Sequence, residues 1–391
     1  MLKAMVHQAI RDVDPERWDA LSDDPFSAHA TLAALEGAGL PGVRVRYVVL
    51  RDAAGRWHAG APLACVEVDA ARLTHGLFRG FIHAARRVRP EFLHPKLMLC
   101  GTPLSVGNPP ARVWSGADPA EVWPALAGSL AAAADEHGAA WRAFKEFGPS
   151  QRASAEAALA PRGWIVAPSE TNLRLDIRWG SFAQYLADLR SPYRHRLSKS
   201  SRALLAAGVE VDEVPLAAGF DPHIHRLYEA VVDRAAVQLE RLTPEFFVAF
   251  GRAHGQAARL LRFRREGQVI GWVALLESNG TLYDMFHGID YAASRECALY
   301  FNQLASVVRL AIERRATRLS LGQSTDDAKV RCGAAAEPRW IALRHRAPAV
   351  RALLAAGRRR LFPEPVSPRR RVFAARGDRE EGSTRCATSS W

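Results

Sequence analysis

Apolar and polar positions along this chain fall into two successive series with the same order of periods. In the first, Trp18, Leu21, Phe26, Leu32, Leu35 and Leu40 recur at helix-like intervals, so residues 14–39 are predicted to be helical with a break at Pro25. The period then shortens. Residues 43–50 are rich in valine, the turn Asp52-Ala53-Ala54-Gly55 follows, and 61–68 returns as the second strand of a hairpin. A further strand is predicted at 97–101, closed by a loop holding Pro103, Gly107 and Pro109. Then come an alanine-rich helix over 120–137 stopped by Gly138, a strand over 141–147 and a short helix over 151–160.

The second series opens with a strand over 173–177, helices over 182–189 and 193–207, a strand over 209–214 and helices over 222–234 and 244–254. A hairpin follows, 260–264 and 269–277 around Glu266-Gly267-Gln268. The turn Ser278-Asn279-Gly280, a strong hairpin signal, leads into a strand over 281–287. A long helix is predicted over 297–315, with Phe301, Leu304, Val308 and Ala311 or Ile312 as its apolar stripe, and a short strand over 318–321. Both series run hairpin, strand, helix, strand, with no residue-level repeat. The predicted fold class is α/β (α+β): two tandem domains, 1–168 and 169–352, each a mixed, mainly antiparallel sheet with packed helices. Residues 353–391, rich in Arg and Pro with little to bury, are expected to be a disordered tail.

Composition narrows this picture. A chain of 391 residues can bury two cores, and 48% hydrophobic with 24% charged residues is a globular balance. No apolar run is long enough to cross a bilayer, and the first fifteen residues already include acids and lack an apolar signal core, so a soluble, cytoplasmic protein is expected. The five cysteines are scattered without a CxxC pair, which argues against a disulfide framework or a zinc site; no metal is expected. The net charge of +12 suits anionic partners. From Ala355 onward nine arginines face four acids, so five of those twelve charges belong to the tail.

Candidate chemistry concentrates between 260 and 333. A strand ending at Gly288, a loop and an amphipathic helix place free backbone N–H groups at the helix start, where a pyrophosphate such as that of coenzyme A can be held. Arg295, Cys297 and Ala298 are the candidate cofactor-binding residues, in a stretch with no glycine to let a phosphate come close. Alternation over 281–287 puts Tyr283, Met285 and His287 on one face and Leu282, Asp284 and Phe286 on the other. His287 or Asp284 is a candidate base, with histidine closer to a neutral pKa, and Tyr300 a candidate acid on the helix that follows. Each also has a plain structural reading as a hydrogen-bonded or core residue. His195, Lys199 and Arg202 share a helix face flanked by Arg194 and Arg196; that face is either solvated or attracts an anionic acceptor. His94, Lys96, Ser105 and Asn108 either belong to a structural Pro/Gly loop or line the acceptor side of a cleft.

Several short motifs carry a resemblance. Tyr300-Phe301-Asn302 at a helix start, a strand at 319–321, Gly322-Gln323-Ser324-Thr325, and Lys329 before Gly333 resemble the GNAT-type acyltransferase domain of the FemAB-like superfamily. Trp18, Pro25-Phe26, Ala34-Leu35-Glu36, Ala61-Pro62-Leu63, His94-Pro95-Lys96-Leu97 and the run from Gly101 to Gly107 are similar, more loosely, to related peptidoglycan biosynthesis/recognition proteins. The resemblance implies two GNAT-like domains with a cleft between them and no permanently bound cofactor. The donor would be acyl-CoA, such as acetyl-CoA, or aminoacyl-tRNA as in the Fem branch. The acceptor would be an amine, either a small molecule or a cell-envelope precursor. Lys329, matching the family lysine, would stabilise an oxyanion or bind an acidic acceptor; Gln323, Thr325, Arg194 and Lys96 would bind substrate. One departure stands out: the acetyltransferase Arg/Gln-x-x-Gly-x-Gly/Ala loop is replaced by 293–298. Rival readings are an aminoacyl-tRNA-dependent transferase and a non-catalytic nucleic-acid or glycan-binding protein.

Overall fold

The computed structural model describes residues 2–67, 95–234, 240–323, 326–365 and 370–374. In the N-terminal half, β1 (Lys3–His7), α1 (Pro15–Asp19), α2 (His29–Gly37), β2 (Val43–Arg51), β3 (Trp57–Glu67), β4 (Lys96–Cys100) and β5 (Arg112–Val113) lead to α3 (Pro119–Glu136). Then come β6 (Trp141–Phe147), α4 (Pro149–Leu159) and β7 (Ile165–Asp176). The C-terminal half opens with α5 (Phe182–Asp188), α6 (Ser191–Ala206), β8 (Glu210–Pro215), α7 (Leu216–Gly219), α8 (Pro222–Val232) and α9 (Pro244–His254). Its second part is β9 (Ala258–Arg265), β10 (Gln268–Ser278), β11 (Thr281–Ile289), α10 (Tyr291–Cys297), α11 (Leu299–Glu313), β12 (Arg318–Ser320), α12 (Asp326–Arg331), β13 (Ala335–His345) and α13 (Pro348–Leu361).

All strands join one 13-stranded sheet, ordered β1-β2-β3-β4-β6-β13-β7-β12-β11-β10-β9-β8, with β5 on β3. Each half repeats a three-strand meander, a crossover helix and a parallel strand: β4 and β6 are parallel across α3, as β11 and β12 are across α10 and α11. The last strand of each half then leaves its own half. β13 pairs with β6, β7 pairs with β12, and β7 and β13 pair with each other along the centre. This exchange turns two sheets into one.

Three large apolar clusters cover the sheet. One lies under α3 and α4, where Val122, Trp123, Leu126 and Leu130 meet Phe144 and Phe147. A second lies under α5, α6, α10 and α11, against Leu261, Phe263, Val273, Leu275 and Leu282. The third covers the opposite face of β9–β11 with Phe246, Phe247, Phe250 and Trp272, and includes Phe26, Leu35 and Leu104 from the N-terminal half. It therefore seals the seam between the halves. Helix α9 packs on α2 there, with His254 Nε2 2.8 Å from Thr31 Oγ1.

The helix expected over 14–39 divides into α1, a 3-10 turn at Pro25–Ser27 and α2, because Asp14 and Asp24 each cap a new start. The tail expected to be disordered from 353 is partly ordered. Residues 353–361 continue α13, and Val372 is buried. Phe373 pairs with Leu189 in a bridge and stacks beside Trp179 and Tyr185. Gly333 makes room for that ring, since a Cβ there would stand 2.2 Å from it. The predicted boundary at 168/169 falls within β7.

Candidate active site

In the C-terminal half the site grows from two parallel strands that separate. β11 and β12 pair only at 281–283 with 318–320. Beyond that, Leu321 N donates to Leu173 O and Leu173 N donates to Gly322 O, which draws the chain toward β7 while β11 stays with β10. Gly322, at φ +64°, turns the chain beside the Asp284 carbonyl. Met285, Phe286 and His287 are only half-buried although β11 is an interior strand, so the sheet is open at this point.

The alternation expected for β11 is broken by a bulge. Ala274 pairs with Phe286 and Leu275 with Asp284, leaving Met285 as an extra residue. Asp284 and His287, expected on opposite faces, thereby come together, with His287 Nε2 2.8 Å from Asp284 Oδ1. The contact is close but poorly aligned for a hydrogen bond, and neither oxygen of the buried carboxyl accepts a well-directed one among the described residues. The other ring nitrogen, Nδ1, lies 3.1 Å from Gln303 Oε1. Gln303 Nε2 donates to the carbonyls of Trp272 and Gly288, which orients Oε1 as an acceptor and assigns the proton to His287 Nδ1. Both ring nitrogens are therefore engaged. The Tyr300 ring packs edge-on against His287 at 5.4 Å.

A second group follows the turn at Gly322. Lys329 on α12 is buried and donates from Nζ to Gln323 O at 2.7 Å. Gln323 Nε2 donates to Glu170 O on β7 at 3.0 Å. The peptide joining Gly322 to Gln323 connects this group to Asp284. Thr325 and His94 lie outside the described residues.

The expected phosphate-binding loop is a helix instead. α10 occupies 291–297, and the Asp290 carboxylate accepts from the N–H groups of Ala292 and Ala293. Cys297 points inward, its Sγ donating to Ala293 O, and burial pushes its thiol pKa up. Ala298, at φ +50°, forms the bend into α11, and Asn302 Nδ2 donates to the carbonyls of Cys297, Ala298 and Ser200. Arg295 points to solvent. These residues do not form an anion nest: the N–H groups serve the helix, and a carboxylate occupies its start. Arg194 lies on the exposed face of α6 and donates to the carbonyls of Ala187 and Leu189. Lys96 is exposed at the start of β4, opposite Glu67. Neither reaches the gap. Asn108 is buried in loop contacts with Thr102 and Asp24.

The N-terminal half supplies groups that sequence reasoning missed. After its parallel pairing with β4, β6 bulges: Phe144 pairs with Ala342 and Phe147 with Trp340, so Lys145 and Glu146 together face Ile341. Lys145 turns toward the loop after β4 and donates to the carbonyls of Thr102 and Leu104. Glu146, at φ +55°, turns toward the C-terminal half; its Oε2 has no partner among the described residues, and burial raises its pKa. Nearby, Glu240 accepts from Ser105 N and Oγ at 2.9 Å each, and burial pushes its carboxyl up to about 7. A Lys-Glu pair inside the strand pattern Trp-Arg-Ala-Phe-Lys-Glu-Phe was the signal that could have exposed this cluster.

A FemAB-like family model, described as peptidoglycan biosynthesis/recognition, matches residues 9–356. No curated protein matches the chain. Among solved structures, FemX is similar with a TM-score of 0.53 at 12% identity, covering 86% of this chain and 96% of that one. A tandem GNAT protein from the clavulanic acid biosynthesis pathway gives 0.52 at 14%, covering 89% and 99%. The C-terminal domain of a proposed lysylphosphatidylglycerol synthetase from Agrobacterium fabrum gives 0.50 at 12%, covering 94% and 100%. At such identities the likeness is one of fold: two GNAT-like halves in tandem.

Proposed function

The chain belongs to the FemAB-like family of peptidoglycan biosynthesis/recognition proteins, and from that premise we propose that it is an N-acyltransferase, moving an acyl group from acyl-CoA to an amine on a small molecule or a cell-envelope precursor. The observation that carries this reading is the separation of β12 from β11 beyond residues 283 and 320, next to the turn at Gly322–Gln323 whose Gln323 carbonyl holds the buried ammonium of Lys329. An acyl carbonyl lodged in that gap meets the edge of β11 on one side and the Lys329 group on the other. As the amine attacks, charge develops on the carbonyl oxygen, and an ammonium already fixed by Gln323 stabilises it without reorganising. The Tyr300 hydroxyl is the candidate acid for the leaving group. With both nitrogens engaged, His287 serves to hold the bulged strand in register with α11. The reading places the protein in the cytoplasm; no helix among the described residues is long and apolar enough to cross a membrane.

One observation favours a second donor. Because α10 closes the expected phosphate loop, a donor that does not depend on that loop, namely aminoacyl-tRNA, is the alternative. Thermal denaturation with acetyl-CoA, longer acyl-CoAs and aminoacyl-tRNA distinguishes them, since a ligand at 100 times its Kd stabilises the folded state by about 2.7 kcal/mol. Lys329→Met is expected to lower transfer roughly 10²–10³-fold with the circular dichroism spectrum retained. An unchanged rate would remove Lys329 from the site.

A further inference from the structure

We propose that Glu146, contributed by the N-terminal half, is the acceptor-side base: the carboxylate that binds the incoming ammonium and takes its proton. The inference rests on the transferase reading above and adds the group that reading lacks. An amine arrives largely as an ammonium and is inert until a proton leaves it.

The groups near the gap differ in what they have free. His287 is committed at both nitrogens, to Gln303 and to Asp284. Both oxygens of Glu240 accept from Ser105, Oε1 from the backbone N–H and Oε2 from the hydroxyl. Asp284 accepts no well-directed bond either, but the His287 ring lies 2.8 Å from its Oδ1, whereas Glu146, 6% exposed, has no donor to its Oε2 among the described residues. The cations around it are turned elsewhere. Lys145 donates to the carbonyls of Thr102 and Leu104, and Arg339 to Gly107 O and Glu337. The Gln323 side chain hydrogen-bonds the carboxyl, leaving Oε2 without a donor, and Glu170 and Glu240 are the remaining charged groups that act on it. A buried carboxylate oxygen left without a donor is costly, and an ammonium, with three N–H donors and a compensating charge, is the ligand that relieves it.

The backbone supports this aim. Two residues of β6 face one of β13, and Glu146 takes a left-handed conformation that glutamate rarely adopts. Such a bulge re-aims side chains, here turning Lys145 into its own half and Glu146 across the seam toward Gln323, the residue that anchors Lys329. The proton ledger closes. One proton of the ammonium passes to Glu146, and the freed lone pair forms the C–N bond as the carbonyl π electrons move to oxygen. Collapse breaks the bond to the leaving group, which takes the Tyr300 proton; the second amine proton restores Tyr300, and Glu146 returns the first to solvent.

The test compares wild type with Glu146→Gln, an uncharged isostere, and with Glu146→Gly, which suits the left-handed backbone should the glutamine variant fail to fold. Thermal midpoints are measured at pH 8 in ethylammonium chloride against matched sodium chloride. The expected result is a rise for wild type that both variants lose; equal responses overturn the proposal. This arm needs no donor, so it decides on Glu146 even if the protein ignores acyl-CoA. In the second arm, release of thiol from acetyl-CoA is followed with glycine and glucosamine as acceptors. Glu146→Gln is expected to lose at least ~100-fold of wild-type transfer while keeping the acetyl-CoA-induced shift. Undiminished transfer by the variant overturns the proposal. Wild type with neither shift nor turnover would overturn the acyl-CoA reading alone.

Discussion

Glu240 holds its proton to a pH at which other glutamates are ionised, because burial penalises its anion more than Lys145 and the two Ser105 donors favour it. The sign follows. The folded state binds this proton more tightly than the unfolded chain, so the associated stability is complete below about pH 4.5 and is lost as pH rises through about 7. The displacement corresponds to roughly 3 kcal/mol. Glu240→Gln should therefore flatten the fall in denaturant-derived stability between pH 5 and 8, whereas an unaltered slope would show that other groups produce it. Legibility at this scale varied with distance along the chain. Lys329 was visible because lysine is scarce and the motif around it is local. His287 and Asp284 were expected on opposite faces and meet instead, since a bulge leaves no trace in a short alternating pattern. Glu146 and Glu240 were silent: Glu240 meets Ser105 across 135 positions, and Glu146 faces a strand about 200 residues downstream.

α10 shows how a single carboxylate decides between a loop and a helix. Asp290 accepts from the Ala292 and Ala293 N–H groups, so residues 291–297, where an anion-binding loop was expected, wind up as a helix ahead of α11. Replacing Asp290 by alanine should cost about 1 kcal/mol and accelerate amide exchange over 291–297, leaving β10 and β11 unaffected. Protection that survives the substitution would mean that packing of Ala293 and Cys297 alone holds the helix. Elements with a clear period or stop were legible; α9 and β6 fall where the pattern placed them, and Gly138 follows the end of α3 by two residues. β1 and the first part of β7 were missed, because five residues with none buried and a Pro-Ser-Glu-Thr interruption carry too little alternation. The tail misled through its arginines: Val372 and Phe373 are two apolar residues in a basic stretch, and their pocket is made by Trp179, Tyr185 and Gly333.

At the scale of the molecule, the order hairpin, strand, helix, strand was legible twice, and with it the tandem arrangement. What the pattern could not carry was the exchange of final strands, because β7 and β13 look the same whichever neighbour they join. The functional reading depends on that exchange: it brings Glu146 on β6, Glu170 on β7 and Lys329 beside β13 to one seam. It also sets a timetable for synthesis. While the ribosome is still making residues before 335, β6 has no neighbour on its open side, and the first half waits with an unsatisfied row of amides and carbonyls. Only when the last strand clears the exit tunnel can the earlier half close. Separately expressed 1–168 should accordingly be insoluble or open to protease, and adding the remainder of the chain in trans should rescue it.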